Sequence, residues 1–151
     1  MIETIKEKIA AIQKQKEELT TQLRKDFAPM LKPLFEKTNG KIKSIGWDQY
    51  SPYFNDGDEC IFHTNLDTLM INGEREDDIE GLDWRIQYHL KGDTKYPFDP
   101  KWDIELYGFV QEFKDLLNSI DDDFYKDLFG NHVEVTVNAD GTVTTEHCDH
   151  D

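Results

Sequence analysis

Two short stretches carry the nitrogen and sulfur atoms that zinc takes as ligands, Cys60-x-x-His63 and His147-Cys148-x-His150. Side chains alternate across a strand, so Cys60 and His63 would point to opposite faces, as would His147 and Cys148. One pair would need a turn to converge. Cys60 reads more simply as a small buried hydrophobe, and the second cluster falls in the last five residues. Asn55, Asp56, Asp58 and Glu59 set hard oxygen atoms around Gly57. Their spacing does not match a twelve-residue calcium loop, and a turn accounts for Asp-Gly. The expectation is no metal and no cofactor, with Cys60, His63, Cys148 and His150 as the residues a metal would use.

Acid–base chemistry has raw material but no focus. The chain holds 32 Asp and Glu, and no spacing singles out a catalytic pair. His63, His89, His132, His147 and His150 follow no triad order. There is no Gly-x-Ser-x-Gly elbow, no Gly-rich phosphate loop before Lys-Ser/Thr and no His-Glu-x-x-His. A non-enzymatic protein is expected. A small metal-dependent enzyme is one alternative, which bound zinc or a divalent requirement would reveal.

What the carboxylates share is sign. Against 17 Lys and Arg they leave a net −15. Residues 1–45 hold ten basic and six acidic residues, a net +4, and residues 46–151 hold seven and 26, a net −19. That exceeds the magnitude of about 2–8 that solubility asks of a small domain. Such a field repels nucleic acid and anionic lipid and attracts basic surfaces. Duplex phosphates recur about every 1.7 Å of axis, so a protein imitating them needs rows of carboxylates. Three rows are available: Glu74, Glu76, Asp77, Asp78, Glu80 and Asp83; then Asp99, Asp103 and Glu105; then Asp115, Asp121, Asp122, Asp123 and Asp127.

These residues need elements to hold them. Ile2, Ile5, Ile9, Ile12, Leu19 and Leu23 recur at alternating spacings of three and four, with Lys16 in the one gap. That is the a/d seam of a helix over 2–27, able to pair with a copy of itself or to lie on the domain's sheet. Pro29 and Pro33 predict a break near Phe27–Ala28, then a short helix with Met30, Leu31, Leu34 and Phe35, stopped by Asn39-Gly40. Strands begin at Ile42, Ile45 and Trp47. Turns follow at Asn55–Asp58 and Asn72-Gly73, with Cys60, Phe62, Thr64 and Leu66 alternating between them. Trp84, Ile86, Tyr88 and Leu90 alternate with Arg85, Gln87, His89 and Lys91 and predict a strand. Leu106, Phe109, Val110, Phe113, Leu117 and Ile120 mark a helix from about Asp103. Asp121–Asp123 cap another, which Gly130 ends, and Val133, Val135, Val137 and Val143 flank a terminal hairpin.

The order predicts an α+β fold. A long N-terminal helix precedes an antiparallel sheet, with C-terminal helices on one face and a terminal β-hairpin. At 151 residues the chain is expected to form one domain, with a helical segment over 1–38 and an acidic body over 41–151. Nine Phe, six Tyr and three Trp argue against a disordered acidic tail. No run of 18 apolar residues and no secretory leader are visible, and two Cys suit a reducing compartment, so a cytoplasmic protein is expected.

The block Gly46-Trp47-Asp48-Gln49-Tyr50-Ser51-Pro52-Tyr53-Phe54-Asn55-Asp56-Gly57-Asp58-Glu59-Cys60-Ile61-Phe62 resembles a segment of uncharacterised tailed-bacteriophage proteins. The resemblance implies a setting, the cytoplasm of an infected bacterium, and no catalytic residues.

The leading expectation is therefore a phage-encoded acidic inhibitor that engages a basic host protein, nucleic-acid-binding or defensive, through the carboxylate rows. Direct nucleic-acid or membrane binding is not expected. The other expectation is an oligomeric assembly or scaffold protein, a homodimer through Ile5, Ile9, Ile12, Leu19 and Leu23.

Overall fold

Helix α1 runs from Ile2 to Lys37, straight through both prolines. The computed structural model describes residues 2–51 and 61–148. The expected Asn55–Asp58 turn, Tyr53, Phe54, Cys60 and His150 lie outside the described residues.

The break expected near Phe27–Ala28 does not occur. A proline inside a helix costs about 3 kcal/mol, by removing one N–H and crowding the carbonyl four residues back. Pro29 and Pro33 are one turn apart and both exposed. The carbonyls that lose their donors, on Lys25 and Pro29, therefore lie on the wet side of the helix. On the other side Phe27, Ala28, Leu31 and Phe35 are buried. Burying three large side chains is worth about 1.5–3 kcal/mol each, the same size as the cost of two prolines. A break would forfeit it. The helix ends where Asn39-Gly40 predicts. Thr38 Oγ1 donates to the Phe35 carbonyl at 2.8 Å, and Asn39 and Gly40 turn the chain with φ of 53° and 83°.

The sheet has five antiparallel strands in the order β3-β2-β1-β4-β5. They are β1 (Ser44–Tyr50), β2 (His63–Ile71), β3 (Glu74–Arg75), β4 (Val133–Asn138) and β5 (Val143–His147). β1 sits at the centre, with β2 on one side and β4 on the other. Inward residues alternate as period two requires: Ile45, Trp47 and Gln49 on β1, Val135 and Val137 on β4. On β2 the alternation of Thr64 and Leu66 shifts to Leu69 and Ile71, because the register slips opposite Gly46–Asp48. The hairpin from β2 to β3 turns on Asn72 and Gly73, both at positive φ, as two-residue turns of this kind require.

One predicted strand is a helix. Trp84, Ile86, Tyr88 and Leu90 alternate in sequence, but helix α2 spans Ile86–Leu90. Asp83 decides this. Its carboxylate accepts the Arg85 N–H at 2.8 Å, and its carbonyl accepts the Ile86 N–H at 3.1 Å, which curls the chain. Of the four apolar residues Ile86 alone is buried, so the alternation corresponds to no core face.

Helices α3 (Ile104–Asn118) and α4 (Asp122–Phe129) form where expected, although Asp121, at the N-cap of α4, makes no side-chain capping hydrogen bond. Asp103 caps α3 by accepting the Leu106 N–H at 3.0 Å. Leu106, Val110, Phe113 and Leu117 on α3 and Tyr125 and Leu128 on α4 join α1 and the inner sheet face in one hydrophobic cluster. Phe27, Trp47, Tyr125 and Phe129 meet there edge to face at 5.2–6.2 Å. Gln49 is fully buried yet satisfied. It accepts from Trp47 Nε1 at 3.0 Å and donates to the carbonyls of Tyr125 and Gly130 at 2.9 and 2.7 Å. Among the described residues no helix is long and apolar enough to cross a membrane.

Candidate protein-binding surface

Half of α1 packs on the core and half does not. From Thr4 to Leu19 every side chain is exposed. Ile5, Ile9, Ile12 and Leu19 are 55, 50, 64 and 56% exposed. Four large aliphatic side chains thus stand in water along one stripe of a helix. Scattered apolar residues on a surface are ordinary, whereas an a/d stripe on a projecting helix is the pattern of a pairing face. The helix meets the body further on. Lys16 Nζ lies 3.8 Å from Asp127, and Arg24 donates to the carbonyls of Leu128 and Asp127 at 2.8 and 3.1 Å.

Leu23 is half-buried, and beyond it the stripe runs into a cleft of about 470 Å³ between α1 and α4. Leu23, Phe27, Met30, Ile120, Phe124 and Leu128 line it, and Asp26 and Asp121 stand at it. Met30 and Phe124 are exposed there. The sequence shows the stripe but not the cleft, because Ile120 and Phe124 sit about 100 positions from Leu23 and meet it only through the fold.

The carboxylate rows divide into those the fold uses and those it leaves outside. Glu76 accepts the Leu69 N–H at 2.8 Å and pairs with Lys114 at 2.6 Å, both partners largely shielded. Asp83 clamps the Arg85 guanidinium at 2.7 and 2.9 Å, and that hydrogen bond holds its carboxyl down to about 2. Burial works against the charge on Asp103, but Lys41 at 2.8 Å and the Leu106 N–H outweigh it and lower its carboxyl. Asp122 accepts the Thr64 N–H at 3.3 Å. Asp99 is half-buried and accepts the Lys101 N–H at 2.9 Å. Glu74, Asp77, Asp78, Glu80, Asp121, Asp123 and Asp127 are exposed. Of these, Glu80 and Asp127 make loose ion pairs at 3.9 and 3.8 Å. The rows run over several elements: β3 and the turn and loop after it; the loop before α3 and the first turn of α3; then Asp115 on α3 and the start and body of α4.

His63 and Cys148 do not come together. His63 pairs with Tyr50 on β1, and the Cys148 N–H bonds the His132 carbonyl beside β4. In the strand order these positions are three spacings apart, about 14 Å, while zinc ligands sit within about 2.3 Å of one ion. His147 and Cys148 take opposite faces, as alternation predicts: His147 faces Val133, and Cys148 lies in a depression with Asp48 and Glu134. Cys60 and His150 are outside the described residues. Among the described residues no group of three His, Cys, Asp or Glu is arranged for a metal.

Register also assembles features that no local pattern announces. Asp48, Glu134 and Glu146 lie side by side across β1, β4 and β5 on the sheet face away from the helices. Burial, then the charges of Asp48 and Glu146, push the Glu134 carboxyl up. Near α2, Trp84 meets Tyr88 and Tyr96 edge to face at 5.8 and 5.6 Å, the two tyrosine rings lie tilted at 5.3 Å, and Trp84 is 60% exposed.

No protein-family model, no curated protein and no solved structure matches this chain.

Proposed function

We propose that this chain is a non-enzymatic binding protein that works by self-association, as an assembly or scaffold element, with the projecting half of α1 as its working surface. The supporting observation is the exposure of Ile5, Ile9, Ile12 and Leu19 along a single stripe. Burying a side chain of that size is worth about 1.5–3 kcal/mol. A helix that keeps four of them in water over four turns gains most from a second apolar surface. Local propensity alone gives such a helix little, since isolated helices of this length are marginal in water. The test is sedimentation of the whole chain against the triple variant Ile5→Gln, Ile9→Gln, Ile12→Gln. The expected result is an oligomer for the parent and a folded monomer for the variant. A parent that stays monomeric up to about 100 μM, an association weaker than about 5.5 kcal/mol, sinks the reading.

A second reading keeps the acidic body as the working part. In the setting the phage resemblance implies, it would bind a basic host protein. The supporting observation is that Glu74, Asp77, Asp78, Asp121 and Asp123 are exposed rather than built into the core. Capture of a basic nucleic-acid-binding protein that DNA displaces, lost on reversing those five charges while the fold survives, is its expected signature. Unchanged capture after reversal rejects it.

A further inference from the structure

We infer that the partner of the α1 stripe is a second copy of this chain lying antiparallel, with the tip of each arm at the α1–α4 cleft of the other. This rests on the self-association reading above and adds orientation, register and a second contact site to it.

Charge selects the orientation. A parallel pair would set Lys16 against Lys16 of the second copy inside the seam. It would also lay two bodies of net −19 side by side. Like charges in a seam are costly. An antiparallel pair reverses each of these. Lys16 moves away from its counterpart and comes to stand opposite Ile12. The two bodies separate by about 48 Å along the axis at 1.5 Å per residue, far beyond the screening length of about 10 Å at 0.1 M salt.

The seam selects the register. Opposed positions in an antiparallel pair have a constant sum, and three sums keep apolar positions facing one another. A sum of 28 sets Ile5 on Leu23 and Ile9 on Leu19, with Ile12 beside the stem of Lys16. A sum of 21 spends Ile5 on Lys16 and leaves Leu23 and the cleft uncovered. A sum of 35 sets Ile9 and Leu19, within the stripe, on Asp26 and Lys16, whereas the first meets Asp26 only with Ile2 at the end of the helix. Only the first pairs Ile5, Ile9, Leu19 and Leu23 with apolar partners throughout.

Area accounts for the cleft. A strip 25 residues long and one helix wide measures roughly 37 by 10 Å, or about 750 Å² over both copies. Stable interfaces bury about 1,200–2,000 Å². The arms alone fall short, and the cleft walls around Met30, Ile120 and Phe124 supply further apolar surface at the place where the opposing tip arrives.

The experiment uses the full chain with Cys60→Ser and Cys148→Ser, carrying either Ile5→Cys or Leu23→Cys, oxidised alone and as a mixture. The expected result is a disulfide-linked dimer from the mixture and little from either variant alone. Phe124→Ser, at the exposed cleft wall, is expected to weaken dimerisation about tenfold with the circular-dichroism spectrum kept. Self-linking of the Ile5→Cys protein would show parallel arms and overturn this inference while leaving self-association standing. A parent monomeric in sedimentation overturns both.

Discussion

Glu134 is the residue whose setting conflicts most with its charge. It is partly buried and stands between Asp48 and Glu146 on neighbouring strands. Its carboxyl titrates above the ordinary value of 4.5. A carboxyl raised in the folded state favours folding below its unfolded value, and that advantage is lost as pH rises through the folded one. At neutral pH the group therefore works against the fold. Glu134→Gln should stabilise the protein by about 0.5 kcal/mol at pH 7, a modest figure because water still screens the site. The gain should shrink toward zero below about pH 4. Paired denaturant melts at pH 7 and pH 4 measure both. A loss of stability at pH 7 would mean that the carboxylate has a favourable contact outweighing its two neighbours. This trio is not legible along the chain, because the three residues become neighbours only through register.

At the scale of elements, α1 holds two contradictory instructions. Its prolines say stop, and its apolar positions at 27, 28, 31 and 35 say continue. Propensity is a local term of a few kcal/mol, and a buried face of this size matches it. Pro29→Ala should therefore raise stability by roughly 2 kcal/mol, several degrees in a thermal melt for a chain of this length. A lower melting temperature would show that the proline holds the helix in a bend the core requires. Elements whose apolar period coincides with a core face were legible in advance, as α3, α4 and the β4–β5 hairpin show. The stretch from Trp84 to Leu90 was not. Its alternation arose on a surface turn set by Asp83, where periodicity carries no burial information. The stripe on α1 was legible as a pattern, but whether it faced sheet or solvent depended on where α4 lies.

Across the whole molecule, the −15 charge acts on the fold as well as on partners. The fold neutralises part of it locally, at Lys41–Asp103, Lys114–Glu76 and Arg85–Asp83. The rest repels itself. Going from 0.1 to 1 M NaCl shortens the screening length from about 10 to about 3 Å. The dilute protein should therefore melt several degrees higher at 1 M NaCl. A fall would mean that the local ion pairs matter more than the net field.

The unbroken course of α1 has a mechanical consequence. Ile5 is some 40 Å from Leu31 along a single rod, so the direction of the tip is set by how Phe27, Leu31 and Phe35 seat in the core. A tilt of about 10° at that seat swings the tip by about 7 Å over that length. Substitutions at Phe35, remote from any partner, would then re-aim the arm rather than blunt it. The angle at which two such molecules meet is written in the packing of one.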